Sequence, residues 1–85
     1  MKGKLYEEIR AAQEEAEPLA LHYGRLIASG QLEAGTMLPT RGELADLHGC
    51  RVSVAREIHR LLERAHLTHT APGPDGAPRC FVGSR

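Results

Sequence analysis

The chain has no tryptophan, one phenylalanine and two tyrosines, so aromatic side chains make up only 4% of its 85 residues. Its core must therefore be assembled from aliphatic side chains and alanine. A domain of this size buries only roughly 60–65% of the surface of its extended chain, which excludes a large α/β or barrel-type catalytic fold. Net charge is missing as well: eleven Lys and Arg balance eleven Asp and Glu. The total dictates neither a strongly basic nor a strongly acidic partner. The two cysteines, Cys50 and Cys80, form no C-x-x-C pair, which argues against a zinc knuckle or a disulfide framework. No apolar run approaches the ~20 residues of a membrane span. Residues 1–17 alternate charged and apolar groups where a signal peptide needs an apolar centre. The expectation is a cytoplasmic chain with two free thiols and no membrane partner.

Motifs for chemistry are absent too. There is no glycine-rich phosphate loop after a strand, no H-E-x-x-H and no G-x-S-x-G, so an enzyme is not expected. His48, His59, His66 and His69 are spaced eleven, seven and three apart, without a compact ligand group. No metal site and no cofactor follow from them, and His59 and His69 read as surface donors. Cys50, in a turn, and Cys80, beside Phe81, read as small core hydrophobes rather than redox sensors.

What is present is periodicity. From Lys4 to Ala16, Leu5, Ile9, Ala12 and Ala16 recur at spacings of four, three and four, predicting an amphipathic helix that ends at Glu17-Pro18. A second helix is predicted from Pro18 to about Ser29, with Leu19, Leu21, Tyr23, Leu26 and Ile27 as its core and Gly30 as its terminator. A turn and a short extended piece follow, anchored by Leu32, Met37 and Leu38. Thr40 and Glu43 form a T-x-x-E capping box for a two-turn helix carrying Leu44, Ala45 and Leu47, stopped at His48-Gly49.

The strongest run is "RVSVAREIHRLLERAH". Val54, Ile58, Leu61 and Ala65, with Ala55 and Leu62, form one face. With Ile58 at the centre of that face, Arg56 and Arg60 lie about 160° away on either side of the outer pole. Glu57 and Glu63 lie near Arg56 and within three residues of Arg60, so ion pairing could quench both arginines. Two short helices about a glycine turn, the second longer and outwardly basic, form a helix-turn-helix signal. Leu67–Thr70 and Arg79–Val82 then read as the strands of a hairpin closed by the turn "APGPDGA". The fold expected is mainly α with a small β-hairpin wing: a winged helix-turn-helix at 18–82, an extra N-terminal helix at 1–17 and a tail at 83–85.

Charge follows the same division. Residues 1–17 carry three basic and five acidic side chains, whereas from Arg41 onward seven arginines face five acids. That permits an anionic partner on the C-terminal half.

At this point the chain resembles the N-terminal DNA-binding domain of the GntR family of bacterial transcription regulators, over about Pro18 to Val82. "ALHYGRLIASGQLEAGTMLP" is similar to the family's helix, I-x-x-G turn and "pG-x-x-LPS". "TRGELADLHGC" resembles "SERELAxxLGV", "RVSVARE" resembles "SRxTVRE", "LLERAHL" resembles "LxxEGL", and Phe81-Val82 falls where the wing closes with G-x-G-x-F-V. The resemblance implies a sequence-specific double-stranded DNA-binding regulator, a repressor acting by promoter occlusion, with Thr40 and Arg56 as carried-over contacts. Two family arginines are displaced: Gly42 and Val52 stand at those positions, with Arg41 and Arg51 one residue earlier. Ser53 and Arg60 on the recognition helix and Gly76 in the wing tip complete the expected DNA-binding set. Ala65-His66 stands where the family has Glu-Gly.

The family normally adds a larger effector-binding domain, so this is either a stand-alone regulator or an excised piece, with no small-molecule effector expected within it. Reading a palindromic operator calls for a homodimer, for which Leu5, Ile9, Ala12 and Ala16 are the expected contacts. The competing reading, favoured by the zero net charge, is a winged-helix protein–protein interaction module without specific DNA binding.

Overall fold

A computed structural model describes residues 2–83, with side chains from residue 5 onward. Of the expected tail, residues 84 and 85 lie outside the described residues. The elements run α1 (Lys2–Ala28), α2 (Arg41–His48), α3 (Val52–Arg64), β1 (Thr68–Pro72) and β2 (Pro78–Val82). This is the expected mainly helical architecture with a small antiparallel hairpin, a winged helix-turn-helix preceded by additional helix.

One expectation fails at the start of the chain. The two helices expected on either side of Glu17-Pro18 are a single 27-residue helix with Pro18 inside it, so the boundary expected at 17/18 falls within one element. The reason is a continuous seam. The 4,3,4 spacing of Leu5, Ile9, Ala12 and Ala16 continues through Leu19, Tyr23 and Leu26, so the same face is apolar on both sides of the proline. Ala12, Ala16, Ala20 and Tyr23 are buried, with Leu19 and Leu26 packed against them. Pro18 is exposed, on the opposite side, where its missing N–H costs one helical hydrogen bond but no core contact. At 1.5 Å per residue α1 is about 40 Å long, and it spans the long axis of the molecule, 41 Å.

The small alanines of α1 meet α3, its principal partner. On α3, Val54, Ala55 and Ile58 are fully buried and Leu62 nearly so, as the position of Ile58 at the centre of the inner face demands. Two expected core leucines stay outside: Leu21 is 57% exposed and Leu47 66%. Leu21 lies two residues beyond Leu19, a step of about 200° around the helix, and therefore faces away from the seam. Leu47 sits on the last turn of the eight-residue α2, where Leu44 and Ala45 make the buried contact. Ala65, also expected on the inner face, is exposed just past the end of α3.

α2 begins with the expected capping box. Thr40 Oγ1 accepts from the Glu43 N–H at 3.1 Å, and the Glu43 carboxylate accepts from the Thr40 N–H at 2.8 Å. It ends at Gly49, whose φ of 60° is the left-handed conformation that glycine adopts without a Cβ clash. His66, between α3 and β1, has φ 61°. It holds a left-handed conformation at the position where the resembling pattern carries glycine, at a steric cost of roughly 1–2 kcal/mol.

The hairpin pairs Thr68 with Val82 and Thr70 with Cys80. Ala71 and Pro72, expected within the turn, continue β1. The expected short β segment before α2 is an isolated bridge, Met37 to Phe81, flanked by bonds from Leu38 N to Cys80 O and from Val82 N to Thr36 O, each 2.8 Å. These bonds fasten the free edge of β2 to the chain leading into α2. Cys80 and Val82 point into the core.

A proline inside α1 removes a helical N–H and crowds the preceding turn. Pro18→Ala is therefore expected to raise stability by about 1–3 kcal/mol, read as a higher urea midpoint at unchanged slope. A midpoint equal to or below that of the parent chain would show that the proline is accommodated without cost.

Candidate nucleic-acid interface

α2, α3 and the hairpin enclose one open groove of about 540 Å³. The N-terminus of α2 contributes Thr40, Arg41 and Gly42, α3 contributes Arg56, His59, Arg60 and Glu63, and the hairpin contributes Thr70, Pro78, Arg79 and Cys80. Four guanidinium-bearing residues from three elements thus converge. Of the residues singled out in the sequence, the fold brings Thr40, Arg41, Arg56 and Arg60 together here.

The others lie elsewhere. Ser53 and Val52 are exposed on the first turn of α3. Arg51, the N-cap residue of α3, provides no side-chain cap and lies 3.8 Å from Glu15 on α1. Gly76 is exposed at the wing tip with φ 86°. Leu5 and Ile9 are 60% and 46% exposed, whereas Ala12 and Ala16 are 3% and 0%. The last two are therefore corrected from expected dimer contacts to members of the chain's own core.

The arginines differ in how far they are neutralised. Glu57 accepts from Arg60 Nε at 2.8 Å, so the charge of Arg60 is compensated. Arg56 and Arg41 are exposed, and neither has an ion-pair partner among the described residues. Glu63, the other carboxylate near Arg56, accepts from the Thr70 hydroxyl at 3.4 Å. Among the described residues, two unpaired guanidinium groups from two helices and the unpaired Glu63 carboxylate face the groove.

The cap adds donors. The Thr40 N–H and the Glu43 N–H are both used in the capping box, and the Thr40 hydroxyl acts on the Glu43 carboxylate. The first N–H groups of α2, at Arg41 and Gly42, have no intrahelical partner because of their position. A Cβ added at Gly42 would meet no atom within 4 Å, so an anion can approach this helix end closely. The Glu43 carboxylate is held below the usual range by its bond to the Thr40 N–H, then by the Thr40 hydroxyl, with Arg79 a smaller contribution.

Sequence reasoning missed Arg79 and misjudged His59. In the G-x-G-x-F-V pattern matched at Phe81-Val82, Arg79 stands at the second glycine, and a charged residue in that place was the available signal. His59 is half-buried rather than a surface donor, and its Nε2 donates to the Pro39 carbonyl at 3.0 Å. Burial lowers its pKa below the ordinary value, with Arg41 and Arg79 adding to the effect; the Pro39 carbonyl and Glu63 oppose it. Cys80 is buried, which raises its thiol pKa and makes it unreactive. Among the described residues no three His, Cys, Asp or Glu side chains gather as a metal site, and no helix is long and apolar enough to cross a membrane.

No family model and no curated protein matches the chain. Among solved structures it is similar to YtrA from Sulfolobus acidocaldarius, a GntR-family transcription factor, at 23% identity and a TM-score of 0.65. The similarity covers 82% of this chain and 55% of that one, so the chain spans about half the length of its structural relative. The likeness establishes the shared fold.

His59 gives this region a pH dependence. In the unfolded chain it takes a proton near its ordinary value of 6.5, while in the fold burial resists protonation. Its contribution to stability is fully present above about pH 6.5 and is lost as pH falls toward the lower folded value. The urea midpoint should fall between pH 7 and pH 5.5, and His59→Gln should flatten that fall. Equal slopes for the two proteins would exclude His59 as its source.

Proposed function

We propose that the protein is a sequence-specific double-stranded DNA-binding transcription regulator, a repressor that acts by occluding promoter DNA in the cytoplasm. The observation that carries this reading is the pair Arg41 and Arg56, two exposed guanidinium groups without carboxylate partners among the described residues, facing one groove beside Thr40 and the open N-terminus of α2. α3 enters the major groove with Ser53, Arg56 and Arg60 outward and Arg51 and Val52 at its leading end. The wing tip at Gly76 meets the adjacent backbone or minor groove. Phosphate contacts from Arg41 and Thr40 set the register, and α3 reads base edges. The mechanism is steric and involves no catalytic step, cofactor or effector bound within these residues.

Zero net charge does not oppose this, because affinity depends on the phosphates actually neutralised rather than on the sum over the chain. The exposed Leu5 and Ile9, at 60% and 46%, continue the α1 seam beyond its buried part. They support a homodimer reading two halves of a palindromic operator.

Arg56→Ala should weaken DNA binding without lowering the urea midpoint. Loss of a phosphate contact lowers the salt slope by about one; loss of a base contact relaxes preference at one position by ~1–3 kcal/mol. Arg60→Ala should weaken binding less, because Glu57 already compensates that charge. Anisotropy titrations at several salt concentrations decide. Absence of salt-dependent DNA binding by the parent chain would favour a protein-interaction module, and unchanged affinity in Arg56→Ala would remove its assigned role.

For the dimer, sedimentation at tens of micromolar should give two copies for the parent chain and one for Leu5→Asp combined with Ile9→Asp. A monomeric parent, or a dimer that survives both substitutions, would overturn this interface.

A further inference from the structure

Arg79 is the point at which the three walls of the groove are joined. Its side chain is only 21% exposed although it carries a full charge. Nη2 donates to the Leu38 carbonyl at 2.8 Å, on the segment leading into α2. The same nitrogen lies 3.7 Å from Glu43 Oε1, the oxygen that also accepts the Thr40 N–H at 2.8 Å. The aliphatic stem covers the wing turn: a Cβ added at Gly73 would stand 2.6 Å from Arg79 Cγ. One side chain thus touches the wing turn, the connecting segment and the cap of α2.

We infer that Arg79 is a positioning residue that sets the wing on the α2–α3 face, and so fixes the distance between Arg56 on α3 and the wing tip at Gly76. This rests on the DNA-binding reading above. A two-stranded hairpin has little rigidity of its own. If α3 and the wing are to engage neighbouring parts of one duplex together, their spacing must be set beforehand, or the ordering cost is subtracted from affinity. Arg79 meets that need through groups of the protein itself. With its guanidinium directed at Leu38 and Glu43 it is distinct from Arg41 and Arg56, which have no internal partner. Lysine does not replace it, because an ammonium is more strongly hydrated than a guanidinium and is costlier to hold in so covered a position.

The test compares Arg79→Ala, Arg79→Lys and Gly73→Ala. The last disturbs the same contact from the wing side and leaves the guanidinium in place; Gly73 has no left-handed φ that alanine would strain. In the free protein, exchange of the Gly73 and Gly76 amides, bonded to Ala77 O at 2.8 Å and Gly73 O at 2.9 Å, should accelerate about tenfold in all three variants, while core amides of α1 and α3 are unchanged. Affinity for duplex DNA should fall about tenfold in each, the scale of one charge-assisted hydrogen bond. The salt slope should stay that of the parent, because no phosphate contact is removed. A slope lower by about 0.9 in Arg79→Ala would make Arg79 a phosphate contact and overturn the inference. So would unchanged wing exchange, unchanged DNA affinity, or acceleration spread evenly over the core. If the parent chain shows no salt-dependent DNA binding, the DNA reading fails by itself, and the exchange measurement still decides whether Arg79 holds the wing.

Discussion

The inward face of α3 is the surface to which the other elements are fastened. Val54, Ala55, Ile58 and Leu62 lie along it at helical spacing, and the alanines of α1, Leu44 of α2 and the inner residues of β2 belong to the same cluster. With one phenylalanine and no tryptophan, no second cluster of comparable size can form. Orientation of the outer face follows directly. Because Ile58 is fully buried, Arg56 and Arg60 are held outward by helix geometry. The thin core and the exposed basic face are two consequences of one periodic run.

Charge is arranged on the same principle, by local pairing rather than by total. Glu57 compensates Arg60, Glu43 is shared between Thr40 and Arg79, and Glu15 lies beside Arg51. Among the described residues, Arg41 and Arg56 are left without an ion pair at the groove, together with the Glu63 carboxylate. A chain of zero net charge can therefore carry a locally positive surface, since fields at a surface depend on which groups are uncompensated within a Debye length of about 8–10 Å.

Much of this was legible in the sequence, for reasons that differ by element. α3 was legible because its apolar spacing is strong, and α2 because the Thr40–Glu43 box and Gly49 mark both ends. The hairpin was legible from its turn residues, though Ala71 and Pro72 extend the strand. α1 was misread at Pro18 because a local rule about proline was weighed against half of a seam instead of the whole of it. Propensity lost to tertiary burial on both sides of residue 18. The groove was legible only in part. Thr40, Arg41, Arg56 and Arg60 carry helical or capping signals, whereas Arg79 and His59 acquire their roles from partners twenty to forty residues away, Pro39 and Leu38. No periodicity encodes such a contact. Ala12 and Ala16 were misassigned for the same reason as Pro18: a stripe of small residues reads alike whether it meets α3 or a second chain.

The departures from the resembling family pattern share a direction. Where that pattern has glycine before the wing, His66 holds the left-handed conformation that glycine would adopt freely. Where it has the second glycine of the closing strand, Arg79 bonds across to Leu38 and approaches Glu43. Conversely, Gly42 replaces a side chain at the start of α2 and opens the helix end. Backbone freedom has been removed from the wing and side-chain bulk removed from the cap. The first change adds side-chain contacts to the backbone bonds that hold the hairpin, and the second leaves the N-terminus of α2 open beside the Arg41 side chain. Together they describe an interface whose geometry is set before any partner arrives, which suits a small domain that has little binding surface to offset the cost of ordering itself.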